Sequence, residues 1–439
     1  MSPPVESSRE RIEIPGGFVE AVDRPTDVEA LSALLAERHA RSEAVLVVGG
    51  RTRLAQANRA EKLAAAISLE ALAGIDVFEP DEGVVHARAG TPIRALREAV
   101  AAEGWELPLD PPGAATTVGG TIASAAVGPR AQVFGRVADA VLGLELVGAD
   151  GAVTKCGGRV VKNVTGYDMA KLYTGSFGTL GVVTGAWLRL RPKPAARVVL
   201  GGRVARDAAT FEAARIAARA TTVRAFVWSE SPTGSAAYGA GTGSGRSASD
   251  AAEDSAELVV ELGGGEAAVA QDREALVRAF SLIPADPLAV DRLGDGRAQA
   301  ASAAAIGLRA RVVPTQLDAL RQATLAAGLS VSIDLGAGVL TARGGESSGA
   351  EGAGSLRIGA RESGGASPGA GELARKLLAL REQTVASGGV LRFDWLPAAL
   401  AERIDVFGEE PGTRALVVSL KQRFDPRRIL NPGRFVAGT

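Results

Sequence analysis

Residues 45–54 read Val45-Leu46-Val47-Val48-Gly49-Gly50-Arg51-Thr52-Arg53-Leu54, and the passage from an apolar run into a glycine pair decides the fold. Four consecutive apolar residues predict a strand buried on both faces, and the glycines at its end predict a sharp turn toward a ligand. In such a turn the backbone N–H groups converge on one concavity. The Thr52 hydroxyl and the guanidinium groups of Arg51 and Arg53 add donors and positive charge suited to phosphate oxygens. The pattern GxxxxGK[ST] is absent, so taken alone the segment also fits an ordinary tight turn.

Upstream, residues 26–40 predict a helix: Thr26 caps it, Glu29 completes a capping box, and Val28, Leu31, Leu34 and Leu35 form its apolar stripe. Downstream come a strand at 84–88 and a helix starting at Thr91-Pro92, with Ile93, Leu96 and Val100 on one face. Residues 139–156 alternate as a hairpin around Ala149-Asp150-Gly151, and 180–190 read as a further strand. Arg191-Pro192-Lys193-Pro194 then breaks the periodicity and marks the first major boundary.

Beyond it, strands at 196–203, 222–229, 256–262, 308–313 and 329–335 are interspersed with helices at 206–219, 266–280 and 315–327. This order predicts an α+β domain with a mainly antiparallel sheet. Residues 231–255 and 343–371 are dominated by Gly, Ser and Ala and are expected to be flexible surface insertions.

Composition narrows the function. Lys and Arg total 49 against 50 Asp and Glu, and only 4% of residues are aromatic, so no nucleic-acid partner is expected. The start MSPPVESSRERIEIP lacks the apolar core of a secretory signal, and no uncharged apolar run approaches the ~18 residues of a membrane span. The expected location is the cytoplasm, at most peripheral to the inner face of a membrane through a partner. Cys156 is the single cysteine, so the chain cannot supply the thiolates of an iron–sulfur cluster. His39 and His86 lack neighbouring co-ligands, and no metal site is expected.

Three more segments could carry chemistry. Residues 110–124, DPPGAATTVGGTIAS, combine an extended proline entry with small residues whose backbone could approach a planar or anionic ligand, or simply allow close helix packing. Residues 175–184, GSFGTLGVVT, follow a predicted helix at 167–173. Their GxxGxxG spacing enters a strand instead of leaving one, which disfavours a nicotinamide Rossmann site. Residues 423–434, RFDPRRILNPGR, form a proline-bounded turn in which Asn431 offers both a donor and an acceptor to a cofactor edge. The same turn could serve only to tie down the terminus.

In this order and at these separations the four segments resemble the FAD-binding oxidoreductases of the vanillyl-alcohol oxidase type, with a PCMH-type FAD domain and an FAD-linked oxidase C-terminal region. The resemblance implies a two-part FAD-binding domain at 20–195, an α+β substrate or cap domain with an antiparallel sheet at 196–414, and a terminal segment at 415–439 that returns to the FAD domain. It assigns the pyrophosphate to Gly49, Gly50, Arg51, Thr52 and Arg53, with Arg51 standing where the family usually has a third glycine. Thr117, Gly119, Gly120 and Ser124 would line the flavin and pyrophosphate. Gly178, Thr179, Gly181 and Val182 would run past the adenosine and flavin, and Asn431 would reach back to the cofactor. No histidine lies in the turn at 49–54, so the implied FAD is noncovalent.

Residues 157–184 most resemble the smaller FAD-binding subunit of glycolate oxidase, which works with a second flavoprotein and an iron–sulfur subunit. The implied reaction is oxidation of glycolate, or another small 2-hydroxy acid, to the 2-oxo acid. Arg130 and Arg136, in the stretch GPRAQVFGR, are candidates for the substrate carboxylate, or equally surface or pyrophosphate-neutralising arginines. The C-terminal half holds no histidine, unlike related 2-hydroxy-acid dehydrogenases. Three readings therefore stand: a catalytic flavin subunit, a relay or structural FAD subunit, and a stand-alone oxidase of another alcohol.

Overall fold

The computed structural model describes residues 5–159, 167–232, 255–299, 306–344, 368–408 and 412–439. The chain divides into two compact units. The first comprises Met1–Val127, Phe134–Lys193 and Phe407–Thr439; the second comprises Gly128–Val133 and Pro194–Val406.

In the first unit the strands are β1 (Val5–Ile14), β2 (Gly17–Pro25), β3 (Val45–Val48), β4 (Ala65–Ser68), β5 (Ile75–Glu79), β6 (Val84–Arg88), β7 (Trp105–Glu106), β8 (Val141–Val147), β9 (Val153–Gly157), β10 (Val182–Arg189) and β11 (Arg191–Pro192). One sheet runs β1-β2-β4-β3, parallel across β2, β4 and β3; a second, antiparallel sheet runs β5-β6-β10-β8-β9. β1 was invisible to hydrophobic patterning because most of its side chains are exposed. β4 was missed for the opposite reason: Ala65-Ala66-Ile67-Ser68 is wholly buried yet built of small residues.

The helix Val28–Ala40 buries Leu31, Leu34 and Leu35 as the stripe predicted. Its cap is Asp27 and not Thr26, with the Ala30 N–H donating to Asp27 Oδ1 at 2.7 Å. A carboxylate there both satisfies an orphan N–H and complements the helix dipole. Similarly, Pro92 is the extended residue before the helix Ile93–Ala102 and not its first member. The predicted hairpin is β8–β9, although Asp139 and Ala140 close a short helix, Val137–Ala140, before it begins.

The chain terminus is part of this unit's core. Ile429 and Leu430 are fully buried with Leu35, Val45 and Ile67. Val45 N–H donates to the Ile429 carbonyl at 2.7 Å and Asn431 N–H donates to the Val45 carbonyl at 3.0 Å, so the terminal segment continues the first sheet beyond β3. This terminal portion of the unit begins at Phe407 and includes the helix Thr413–Phe424.

The second unit holds β12 (Ala196–Ala205), β13 (Val223–Glu230), β14 (Ser255–Gly264), β15 (Ile283–Pro284), β16 (Ile306–Arg311), β17 (Ser330–Asp334), β18 (Val339–Gly344) and β19 (Val390–Trp395). They form one antiparallel sheet in the order β15-β12-β14-β13-β17-β18-β16-β19. Trp228 of β13 packs edge-on to Phe211 of the helix Ala208–Ala217, and Val199, Ala225, Val227 and Val259 pack with Ala289, Val290 and Leu293 of the helix Ala289–Gln299. The expected insertions at 231–255 and 343–371 fall mostly on 233–254 and 345–367, outside the described residues. Their described edges are ordered, since Ser255 opens β14, Gly344 closes β18 and Pro368 opens the helix Pro368–Ala386. Among the described residues no helix is long and apolar enough to cross a membrane.

Candidate cofactor site

β3 ends where its last residues meet the glycine turn, and the first unit opens there into two adjoining pockets that share Val48, Gly49, Thr117, Gly120, Phe177 and Asn431. The first pocket is walled by Arg51, Thr52, Arg53, Ser124 and Arg434, and the second by Gly119, Gly178, Gly181, Val182 and Tyr173. Segments far apart in sequence are thereby gathered on one groove.

Close backbone approach builds it. A Cβ on Gly50 would overlap the Ala115 carbonyl, so the glycine turn and the 110–124 segment touch main chain to main chain. Gly119 and Gly120 both line the groove but meet different neighbours. A Cβ on Gly119 would come within 2.8 Å of the Ala89 Cβ, which marks close packing, whereas a Cβ on Gly120 would meet only Thr117 Oγ1 at 3.2 Å and would enter the groove. Thr117 caps the helix Val118–Ser124, accepting from Gly120 N–H at 3.2 Å.

Arg51 resolves the missing third glycine. Its φ of 57° is the left-handed conformation a glycine would adopt, held by ion pairing of its guanidinium with Glu10. Hydrogen bonding to Arg51 keeps the Glu10 carboxyl below the usual carboxylate range and raises the guanidinium in turn. Thr52 Oγ1 lies 3.2 Å from Thr116 Oγ1, and Arg53 Nη2 donates to the Pro112 carbonyl at 2.6 Å.

Asn431 has its side-chain amide engaged by protein and not left open to a cofactor edge. Oδ1 accepts from Val47 N–H and Nδ2 donates to the Phe177 carbonyl, both at 2.8 Å, pinning the end of β3 to the 175–184 loop. Thr179 does not line the groove. It is buried, donates to the Ser176 carbonyl at 2.7 Å, and its own carbonyl accepts from Lys421 Nζ at 2.8 Å. Lys421 also donates to Asp425 Oδ2 and the Leu430 carbonyl at 2.8 Å. Burial pulls the Lys421 ammonium below the ordinary lysine range, against the opposing pull of Asp425.

Phe177 and Arg434 are groove residues that the reading of the sequence does not single out. Phe177, at φ 54°, stacks on Phe435 with ring centroids 5.7 Å apart. Arg434 is 4% exposed; its Nη2 donates to the Leu54 carbonyl at 2.6 Å while Nη1 is buried with no hydrogen-bond partner. Burial pushes this guanidinium down to about 10. Both lie inside quoted segments, but nothing local marks either as facing a groove.

Both candidates for the substrate carboxylate are engaged by carboxylates of the chain itself. Arg130 belongs to the second unit, where it donates to Glu261 Oε2 at 2.8 Å and pairs with Asp291 Oδ1 at 2.7 Å. Its fork is taken by two carboxylates. Burial alone would raise the Glu261 carboxyl, yet Arg130 and Arg197 together hold it below the ordinary value. Arg136 is largely exposed and pairs with Asp139 at 2.8 Å as a surface cap. Cys156 is half-buried, and burial pushes its thiol upward, away from reactivity. Among the described residues no group of three or more His, Cys, Asp or Glu could hold a metal ion.

Comparison with known proteins agrees with this geometry. Residues 19–157 match the FAD binding domain family. Glycolate oxidase subunit GlcE of Escherichia coli (strain K12) is 38% identical over 143 residues, which is 32% of this chain and 41% of that protein. D-lactate dehydrogenase of Archaeoglobus fulgidus is 36% identical over 172 residues, 39% of each chain. Glycolate oxidase subunit GlcD of Bacillus subtilis is 42% identical over 103 residues, 23% of this chain and 22% of that one. The chain thus covers about two-fifths or less of the length of these relatives. A solved alkyldihydroxyacetonephosphate synthase superposes with a TM-score of 0.66 over 95% of this chain and 78% of its own, at 14% identity, a likeness of fold alone. The donor set fits the cofactor: a buried half-paired guanidinium, two further arginines and a glycine turn in one pocket suit a diphosphate, and the second pocket adds a mainly apolar wall.

Proposed function

Residues 19–157 are an FAD binding domain, and from that premise we propose that the chain is an FAD-dependent oxidoreductase acting on the CH–OH group of a small 2-hydroxy acid. In the finer form of the proposal it is the FAD-binding subunit of a glycolate oxidase complex, forming glyoxylate and passing electrons to an iron–sulfur partner beside a second flavoprotein. The observation that carries this reading is the 38% identity to a glycolate oxidase subunit, joined by matches to D-lactate and D-2-hydroxyglutarate dehydrogenases. The single cysteine is consistent with a cluster held elsewhere.

Bound FAD would supply the two-electron acceptor. The chain's own groups would hold it noncovalently: Gly49, Gly50, Arg51, Thr52, Arg53 and Ser124 on the polar side, with Gly119, Gly120, Gly178, Gly181 and Val182 allowing close approach of the ring system. Asn431 acts as a positioning residue, fixing β3 against the 175–184 loop.

The closed ion pairs of Arg130 favour a second reading, in which this chain is a relay or structural FAD subunit and the substrate carboxylate is bound by another chain. Anaerobic titration of the flavin-loaded protein separates the two. Bleaching of the flavin by glycolate, D-lactate or D-2-hydroxyglutarate in the isolated chain supports a catalytic subunit. Bleaching only after partner subunits are added supports the relay, and bleaching by none of them under either condition overturns the 2-hydroxy acid proposal.

A further inference from the structure

We infer that the Arg434 guanidinium is the counter-charge for the diphosphate of bound FAD, so that the C-terminal segment completes the cofactor site. A charge removed from water is costly unless paired, and a native chain that retains one without a partner is poised for a ligand of opposite charge. Among the described residues no carboxylate pairs with Arg434. Its Nη2 has the Leu54 carbonyl, its Nη1 has nothing, and it lines the pocket of the glycine turn. Held near 10, it is still a cation at neutral pH.

The neighbouring arginine makes the contrast. Arg51 already has Glu10, so its charge is balanced before any ligand arrives. Arg434 is carried on a fixed arm: Asp425 accepts from Ile429 N–H at 3.0 Å, Leu430 N–H at 2.8 Å and Lys421 Nζ at 2.8 Å, and Asn431 ties the next residue to β3. Preorganised in this way, a guanidinium fork matches paired phosphate oxygens. Arg434 lines the pocket that also holds Arg51, Thr52 and Arg53 and is absent from the second, more apolar one, which favours the diphosphate over the ring as its partner.

The inference rests on FAD binding by this groove and is independent of the 2-hydroxy acid. The apo-chain is titrated with FAD and, separately, with riboflavin, which lacks phosphate, and flavin fluorescence is followed for the wild type, Arg434→Met and Arg434→Lys. Loss of a charge-assisted contact predicts an FAD affinity about 10- to 100-fold weaker in Arg434→Met, with riboflavin within about threefold of wild type and Arg434→Lys intermediate. Should Arg434→Met not fold, Arg434→Lys alone must weaken FAD while sparing riboflavin. Unchanged FAD affinity overturns the inference, as does equal weakening of FAD and riboflavin, which would make Arg434 a packing residue. If the wild type binds FAD but no 2-hydroxy acid bleaches it, the functional proposal fails and this one stands; if the wild type binds no FAD, both fail.

Discussion

Arg130 and Arg434 are both buried guanidiniums, one in each unit, and they differ in what faces them. Around Arg130 the charges close on themselves: Glu261 lies 2.8 Å from both Arg130 and Arg197 and 3.0 Å from Arg224, and Asp291 completes the set. Around Arg434 no carboxylate among the described residues closes the circuit, and the residue lines the groove with Nη1 unpartnered. Burial alone does not identify a binding residue. An unmatched charge beside a cavity is what the Arg434 proposal adds to it.

The largest effect should come from opening the closed cluster. Glu261→Gln removes a carboxylate from the buried Arg130 and Arg224, and about 3–5 kcal/mol of stability should be lost in calorimetric unfolding, while FAD affinity is unchanged. A pH series sharpens this. The Glu261 carboxyl is depressed in the folded chain, so its contribution is present above the ordinary value of 4.5 and is lost as pH falls through the lower folded value. The wild-type stability curve should therefore fall below pH 4.5, and the Glu261→Gln curve should be flatter there. An FAD affinity that moved with Glu261 would blur the distinction between the two regions.

Asn431→Ala comes next, because it strands the Val47 N–H and the Phe177 carbonyl together. About 2–3 kcal/mol of stability should be lost, with weaker FAD binding, by thermal unfolding and fluorescence titration. The glycine pair gives a smaller, paired test. Gly119→Ala crowds Ala89 and should cost about 1–3 kcal/mol of stability, whereas Gly120→Ala should fold normally and weaken FAD alone. Smallest of all is Arg51→Gly. Relief of about 1 kcal/mol of left-handed backbone strain opposes loss of the Glu10 pair, so the melting temperature should hardly move.

These contrasts explain what was legible in the sequence. The strand Val45–Val48, the helix stripe of Leu31, Leu34 and Leu35 and the β8–β9 hairpin follow from short-range periodicity, and the structure has them within a few residues. β1 and β4 were not legible, one too polar and exposed, the other too small-residued, and both owe their place to strand pairing. Three of the four groove segments declared themselves through glycine because close backbone approach excludes a Cβ locally. The direction in which Phe177 and Arg434 point is not local, and neither was singled out.

By itself the sequence determined where main chain could be approached closely, since that depends on residues a few positions apart. Only the tertiary structure decided which buried charges are matched by carboxylates. Arg130 finds Glu261 131 residues away, and Asn431 finds Val47 384 residues away. Glycine's tolerance is a property of one residue, whereas the balance of a buried charge is a property of whatever the fold brings beside it.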